Sequence, residues 1–414
     1  MGTFLDKPST EKYNEHGDNK TIKYGISTMQ GWRVRMEDSH CACLGLPNGL
    51  NDWAFFGLFD GHAGGFVSSY LAENLLNSIL ECKELKESIE RDPKNIDYSL
   101  LEKSIKDAFL QIDEKLKTFP KLEKGEDKSG STAVAVIISP THFIFINCGD
   151  SRAVLSRSNA CFYSTDDHKP SKPNEKARII KAGGSVLIQR VNGSLAVSRA
   201  LGDFDYKNNS GKHPFDQLVS PEPDIRIELR DPTKDEFIIL ACDGIWDVMS
   251  SDDICKYVRN RLEVCDNLES VCNQVVDTCL QKGSRDNMSI ILVTLDASPQ
   301  LNSKAIEDDT KLNQSIDLKI KEICETNPTA NMSFILQELE RQEYEYPPGG
   351  GISSKHQIIQ TSFNQHSISS NTTAATEKVK KIKHKLKIIE LLNRKKWNLH
   401  DQILIKPILL TKHL

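Results

Sequence analysis

Five acidic motifs border apolar runs between Met36 and Asn287: Met36-Glu37-Asp38, Phe59-Asp60-Gly61-His62, Cys148-Gly149-Asp150-Ser151, Ala241-Cys242-Asp243-Gly244 and Arg285-Asp286-Asn287. Burying a carboxylate is unfavourable unless a positive charge pairs with it. Where several β-type runs each end in Asp, bound cations at their convergence account for the pattern. Hard divalent ions such as Mg²⁺ or Mn²⁺ prefer oxygen ligands of this kind. Asp60-Gly61 lets the chain turn sharply, so that a carboxylate and a carbonyl can face one ion, with Asp60 bridging two. A lone Asp-Gly usually marks a plain turn. Its repetition at Asp243-Gly244, with Asp286 opening a further strand, favours the metal reading. Two cations about 3.5–4 Å apart hold a hydroxide between them and lower its pKa towards neutrality. Such a hydroxide attacks a phosphoryl group in line, without a covalent enzyme intermediate. His62, next to these ligands in sequence, suits protonation of the leaving oxygen. Arg33 could grip phosphate oxygens bidentately, but Arg33 and Arg35 alternate on one face of an expected strand over 32–37, and spacing alone does not choose between them.

The elements that must position these groups alternate up to about residue 297. Runs rich in Val, Ile and Phe at 53–59, 133–139, 142–148, 152–157, 237–242 and 288–295 read as strands. Ser139-Pro140-Thr141 and Ser158-Asn159 supply turns between neighbouring runs, which predicts antiparallel hairpins. Helical spacing predicts helices over 67–82, 100–117, 174–182, 252–263 and 268–281, with Gly183-Gly184 stopping the third. Hairpins with helices on both sides indicate a layered α+β fold rather than a doubly wound parallel sheet. After Leu295 two amphipathic helices are expected over 311–326 and 331–343. Pro347-Pro348-Gly349-Gly350-Gly351 breaks the chain, and 352–376 reads as a flexible polar linker. The segment 377–414 begins with a basic amphipathic pattern, suited to an anionic membrane, calmodulin or an acidic partner, or else a solvated charged tail.

At 414 residues the chain accommodates one large domain with an appendage, or two domains. A net charge of −5 gives no support to nucleic-acid binding. No apolar run is long enough to span a membrane, and residues 1–20 lack the apolar core of a secretory signal. The eleven cysteines form no C-x-x-C pair and sit singly in apolar segments. They are expected to be buried thiols in a reducing compartment, cytosolic or nuclear, so the Asn-x-Ser/Thr sequons at Asn192, Asn331 and Asn371 are expected to be coincidental.

With these residues assembled, the chain resembles the metal-dependent serine/threonine protein phosphatases of the type 2C class, close to the animal alpha/beta members. The resemblance runs from Met1 to about Leu295, with a weaker echo to Gly351. It is carried by Met29-Gln30-Gly31-Trp32-Arg33, Met36-Glu37-Asp38, Phe59-Asp60-Gly61-His62-Ala63-Gly64, Lys128-Ser129-Gly130-Ser131-Thr132-Ala133, the stretch from Val191 to Asp203 and Ser284-Arg285-Asp286-Asn287-Met288-Ser289. The resemblance implies a four-layer αββα sandwich of two antiparallel β-sheets flanked by helices, with a small C-terminal helical domain at 298–351 after a catalytic domain at 1–297. It implies a centre of two Mg²⁺ or Mn²⁺ ions. Asp60 would bridge both ions, the Gly61 carbonyl would bind one, and Asp243 and Asp286 the other, with Glu37 and Asp38 holding metal-bound waters. Arg33 would bind phosphate and His62 would be the general acid. Asp150, with Asp243 and Asp247, matches a weaker third site, and the stretch from Arg190 resembles a flap beside the cleft. Gly2 corresponds to a myristoylated residue, although the generic motif wants Ser or Thr where this chain has Asp6. Phosphorylated proteins are the implied substrates. The chain is expected to be a monomer, with weak membrane association through Gly2 acylation or the basic tail.

A second reading keeps the fold but makes it an inactive binding module. Relatives of that sort lose metal-binding aspartates or the phosphate-binding arginine, and every one of these is present here. A calcium loop at Asp203-Phe204-Asp205-Tyr206-Lys207 fails, because Lys207 stands at the third ligand position and the glycine is missing.

Overall fold

The structure is a computed structural model and describes residues 4–367 and 382–387. The chain divides into two units, one of residues 1–310 with 346–356, the other of 311–345 with 357–414.

Two antiparallel sheets form the centre of the first unit. One runs in the order Phe4–Asp18, Lys23–Arg33, Met288–Thr294, Asp235–Ala241, Arg152–Arg157 and Ala160–Ser164. The other runs Asp224–Leu229, His142–Cys148, Ala133–Ile138, Ala54–Phe59 and Ser39–Leu44. Successive side chains of a strand point to opposite faces, so a strand covered on both sides reads as an unbroken apolar run. In Ala54–Phe59, residues Ala54, Phe56 and Leu58 face a layer shared with Ile26, Leu240 and Ile291 of the other sheet. Phe55 and Phe59 turn the other way, against Leu71, Ile105 and Phe109 from helices Phe66–Leu80 and Tyr98–Lys117. In Met288–Thr294 the same alternation sends Ile291 and Val293 between the sheets. Ile290 and Leu292 pack under helices Ser251–Leu262 and Leu268–Gln281. The result is helix, sheet, sheet, helix, as the sequence reading expects.

Several helices begin where a side-chain oxygen satisfies one of their first backbone donors. Asp97 accepts from the Ser99 backbone N–H at 2.8 Å, Ser250 from Asp253 at 3.1 Å and Asn267 from Ser270 at 2.7 Å. Helix Pro173–Lys181 stops at Gly183, whose φ of 98° follows the expected glycine end. Both expected hairpins are present, joining Ala133–Ile138 to His142–Cys148 and Arg152–Arg157 to Ala160–Ser164.

Several expectations are corrected. No element was expected over Phe4–Asp18, which forms a long edge strand paired with Lys23–Arg33, since backbone pairing requires no apolar alternation on an exposed edge. The strand expected over 32–37 ends at Arg33, so Arg33 and Arg35 do not share a strand face. The first unit extends past residue 297 to Thr310 and takes in 346–356, with Asp309 paired to Arg261 at 2.8 Å and to Lys355 at 2.8 Å.

In the second unit, helix Ser303–Thr326, which crosses the division after Thr310, begins earlier than expected, and a second helix covers Met332–Glu340. Residues 356–367 are helical where a flexible linker is expected. Polar composition hides their amphipathic contacts: Ile359 is fully buried, and Ser362 and His366 both bond to the Asp317 carboxylate, at 2.6 and 3.0 Å. Gly2 and nearly all of the basic segment 377–414 lie outside the described residues, of which 382–387 are helical. Among the described residues, no helix is long and apolar enough to cross a membrane.

Candidate metal centre

Strand ends of both sheets deliver the acidic groups. Asp60 follows Ala54–Phe59 directly, and its backbone is held on both sides: its carbonyl accepts from the Thr132 N–H at 3.0 Å and its N–H donates to Thr132 Oγ1 at 3.3 Å. Gly61 must be glycine, because a Cβ there would lie 2.3 Å from the Glu37 carbonyl oxygen. That close approach brings the Glu37-Asp38 loop beside Asp60. From the other sheet, Asp235–Ala241 leads through Cys242 into Asp243, the first residue of the short helix Asp243–Trp246. A Cβ on Gly244 would lie 2.0 Å from the Asn287 carbonyl oxygen, so Asp243 and Asp286 are pressed together by backbone contact. Asp247 sits one turn beyond Asp243, its N–H bonded to the Asp243 carbonyl at 2.8 Å.

Asn287 is the knot of the loop that carries Arg33 and Glu37. Its side-chain amide donates to the carbonyls of Gln30 at 2.9 Å and Arg35 at 3.0 Å, and its oxygen accepts from the Glu37 N–H at 2.9 Å. Arg33 turns towards the cluster and donates to Asp286 Oδ2 at 2.5 Å. Arg35 is exposed and gives the network its carbonyl. Of the two arginines that spacing left open, Arg33 is the one that faces the acidic cluster.

Carboxylate oxygens of Asp38 and Asp60 and the sulfur of Cys242 lie within 4.8 Å of one another. One Asp38 oxygen accepts from Ser289 Oγ at 2.6 Å, while the other is buried with no hydrogen-bond partner. Burial, followed by the repulsion of Asp38, Asp243, Asp150 and Asp286, pushes the Asp60 carboxyl well above its ordinary range. Burial and the charges of Asp150, Asp286 and Asp247 do the same to Asp243. Burial raises Asp38 to about 6, against the bond it accepts from Ser289. These groups oppose one another's ionisation, and cations would relieve that opposition. The Cys242 thiol is driven up as well, by burial first and then by Asp38, Asp60 and Asp243, and it donates to the Asn287 carbonyl at 3.3 Å. A protonated thiol is a poor ligand. The remaining donors are hard oxygens, which fit Mg²⁺ or Mn²⁺ rather than a thiophilic ion.

Two partners escaped the sequence reading. His62 Nε2 lies 2.7 Å from Asp203 Oδ2, and Asp203 is buried in a left-handed conformation with φ of 52°. Burial would lower the His62 pKa, but the charge and hydrogen bond of Asp203 outweigh it and raise the value. Lys169 places its ammonium on Asp150, and it also opposes the burial-driven rise at Asp247. Asp150 is thus ion-paired at the position expected to serve a third cation. In the sequence Asp203 was marked only by its place in a long motif and in a rejected calcium loop, neither of which pointed to His62, and Lys169 gave no sign.

Comparison with known proteins adds an independent line. Residues 22–288 match the family model "Protein phosphatase 2C", and residues 289–364 match "Protein serine/threonine phosphatase 2C, C-terminal domain". The chain is 48% identical over 408 residues to human "Protein phosphatase 1B", covering 96% of this chain and 84% of that protein. It is 49% identical over 368 residues to human "Protein phosphatase 1A", covering 88% and 95% respectively. Among solved structures, a serine-threonine phosphatase 2C from Toxoplasma gondii superposes with a TM-score of 0.57 at 25% identity, covering 69% of this chain and all of that one.

Proposed function

The chain belongs to the protein phosphatase 2C family and is a metal-dependent protein serine/threonine phosphatase; on that premise we propose how its own residues divide the work. Asp60, the Gly61 carbonyl, Asp243 and Asp286 would hold two Mg²⁺ or Mn²⁺ ions, and Glu37 and Asp38 would orient water beside them. Bound there, the ions would offset the carboxylate charge and would supply an activated water nucleophile near neutral pH. Arg33, braced by Asp286, presents its guanidinium to the phosphate of phosphoserine or phosphothreonine. His62, held through Nε2 by Asp203, protonates the departing side-chain oxygen. Asp150, Asp243 and Asp247 form a weaker third cation site, in which Lys169 competes for Asp150.

The observation that carries this reading is the buried, unpartnered Asp38 oxygen within reach of Asp60. Calorimetric titration of metal-stripped protein with Mn²⁺ tests it. About two tight ions per chain are expected, as in two-metal hydrolytic sites, and at most one in Asp60→Asn. Equal stoichiometry in both proteins contradicts the assignment.

The eleven free cysteines support a reducing compartment, cytosolic or nuclear, which fractionation of a tagged protein would check. We also propose that the protein acts as a monomer. Reversible membrane contact through Gly2 acylation or the basic segment remains part of the proposal, tested by myristate incorporation into wild type and Gly2→Ala.

A further inference from the structure

A cavity of about 220 Å³ opens beside the expected general acid, lined on one side by His62 and Asp203. Leu122, Leu195, Phe204 and Tyr206 give it apolar walls. Ser129 also lines it, and although this residue is fully buried its hydroxyl has no hydrogen-bond partner. A buried hydroxyl left unpaired is unfavourable, so a polar ligand atom is the natural complement.

The charges around the cavity are lopsided. Asp127, Asp203 and Asp205 face one ammonium, that of Lys128, together with His62. Asp205 is neutralised by Lys128 at 2.7 Å and Asp203 is engaged with His62 at 2.7 Å. Asp127 spends one oxygen on the Ser129 N–H at 2.8 Å, which leaves its charge without a cation among the lining residues. Apolar walls with an acidic rim suit a ligand that has an aliphatic stem and a cationic head. An acidic side chain would meet like charge there.

Resting on the reading of His62 as the group beside the leaving oxygen, we propose that this cavity is a substrate subsite for a lysine or arginine side chain flanking the phosphorylated residue. The stem packs on Leu195, Phe204 and Tyr206, and the head answers Asp127 and the Ser129 hydroxyl. The site thereby sets a preference for phosphoproteins with a basic residue at one fixed position beside the phosphate.

A positional scan tests this with Mn²⁺-loaded full-length protein and phosphothreonine peptides carrying Arg, Ala or Glu at each flanking position. The readout is the ratio of kcat/KM for Arg over Ala within each protein, which cancels any general loss of activity. Wild type is expected to favour Arg about fivefold at one position, the size of a partly screened ion pair, and to disfavour Glu there. Asp127→Asn should bring the ratio close to one, and Asp127→Lys should push it below one. Lys128→Ala, which releases Asp205, should raise it. A flat scan, a ratio unmoved by Asp127→Lys, or a lower ratio in Lys128→Ala overturns the subsite. Failure of wild type to release phosphate even from the alanine peptide would instead count against the underlying catalytic reading.

Discussion

Asp38 has one oxygen satisfied by Ser289 and one with no protein partner, and the chemistry of the centre turns on such incomplete residues. The acidic groups were legible in sequence because a carboxylate at the end of a buried strand needs an explanation wherever it occurs. Their partners were not. Asp203 stands 141 residues from His62, and only folding joins them. Two predictions belong at this scale. Replacing His62 by Gln should slow release from phosphoserine peptides roughly 100-fold, the lower range for a general acid, and barely affect an aryl phosphate whose leaving group departs without a proton. Asp203→Asn should give the same leaving-group dependence in weaker form, because it acts by holding His62. Equal losses on both substrates, read from steady-state kinetics, would remove His62 as the acid.

At the scale of elements, the site depends on how closely strand ends and loops approach. Gly61→Ala drives a methyl group into the Glu37 carbonyl and displaces the loop that carries Arg33, Glu37 and Asp38. Activity should fall about 100-fold, as expected for a shift of roughly 1 Å in catalytic groups, with a much smaller change in melting temperature. A second device ties helix Pro173–Lys181 to the stretch beyond Val191. Glu175 accepts from Arg199 at 2.8 Å and from Arg178 at 2.9 Å, and Arg199 also holds Asp224 at 2.8 Å. Burial opposes the Glu175 charge, but the two arginines prevail and lower its pKa from 4.5 to about 2. A carboxyl depressed on folding stabilises the native state above its unfolded pKa. That contribution is lost as pH falls through the folded value. Denaturant unfolding should therefore show stability declining between pH 4.5 and about 2, and Glu175→Gln should flatten that decline. The variant should also be destabilised by about 3 kcal/mol at neutral pH, where two arginines lose their buried partner. An unchanged acid slope would contradict this account. The central strands and hairpins were readable from two-sided apolar runs, whereas the edge strand Phe4–Asp18 was not, because its pairing is backbone chemistry on a polar sequence.

For the whole molecule, the four layers follow from strands that bury both faces; the pattern alone indicated a layered α+β fold, and the family resemblance implied the two sheets and their flanking helices. The division of the C-terminal part was harder to read. Arg261, Asp309 and Lys355 form a buried ion network inside the first unit, and nothing in the local sequence of any of them announces the other two. A chain ended after residue 297 loses Asp309 and Lys355 and strands Arg261. Its melting temperature should drop by roughly 5 °C or more, given the destabilisation from breaking a buried ion pair. A chain ended after residue 367 retains the network, and its melting temperature should exceed that of the 297 truncation. The central claim is that half-buried carboxylates from both sheets form one metal-dependent phosphatase centre. It is tested most directly by phosphate release from a phosphothreonine peptide, with and without Mn²⁺ or Mg²⁺, in wild type, Asp60→Asn and Asp243→Asn. The account predicts release that requires added metal and is abolished in both variants. Near-native, metal-dependent release from either folded variant would contradict it.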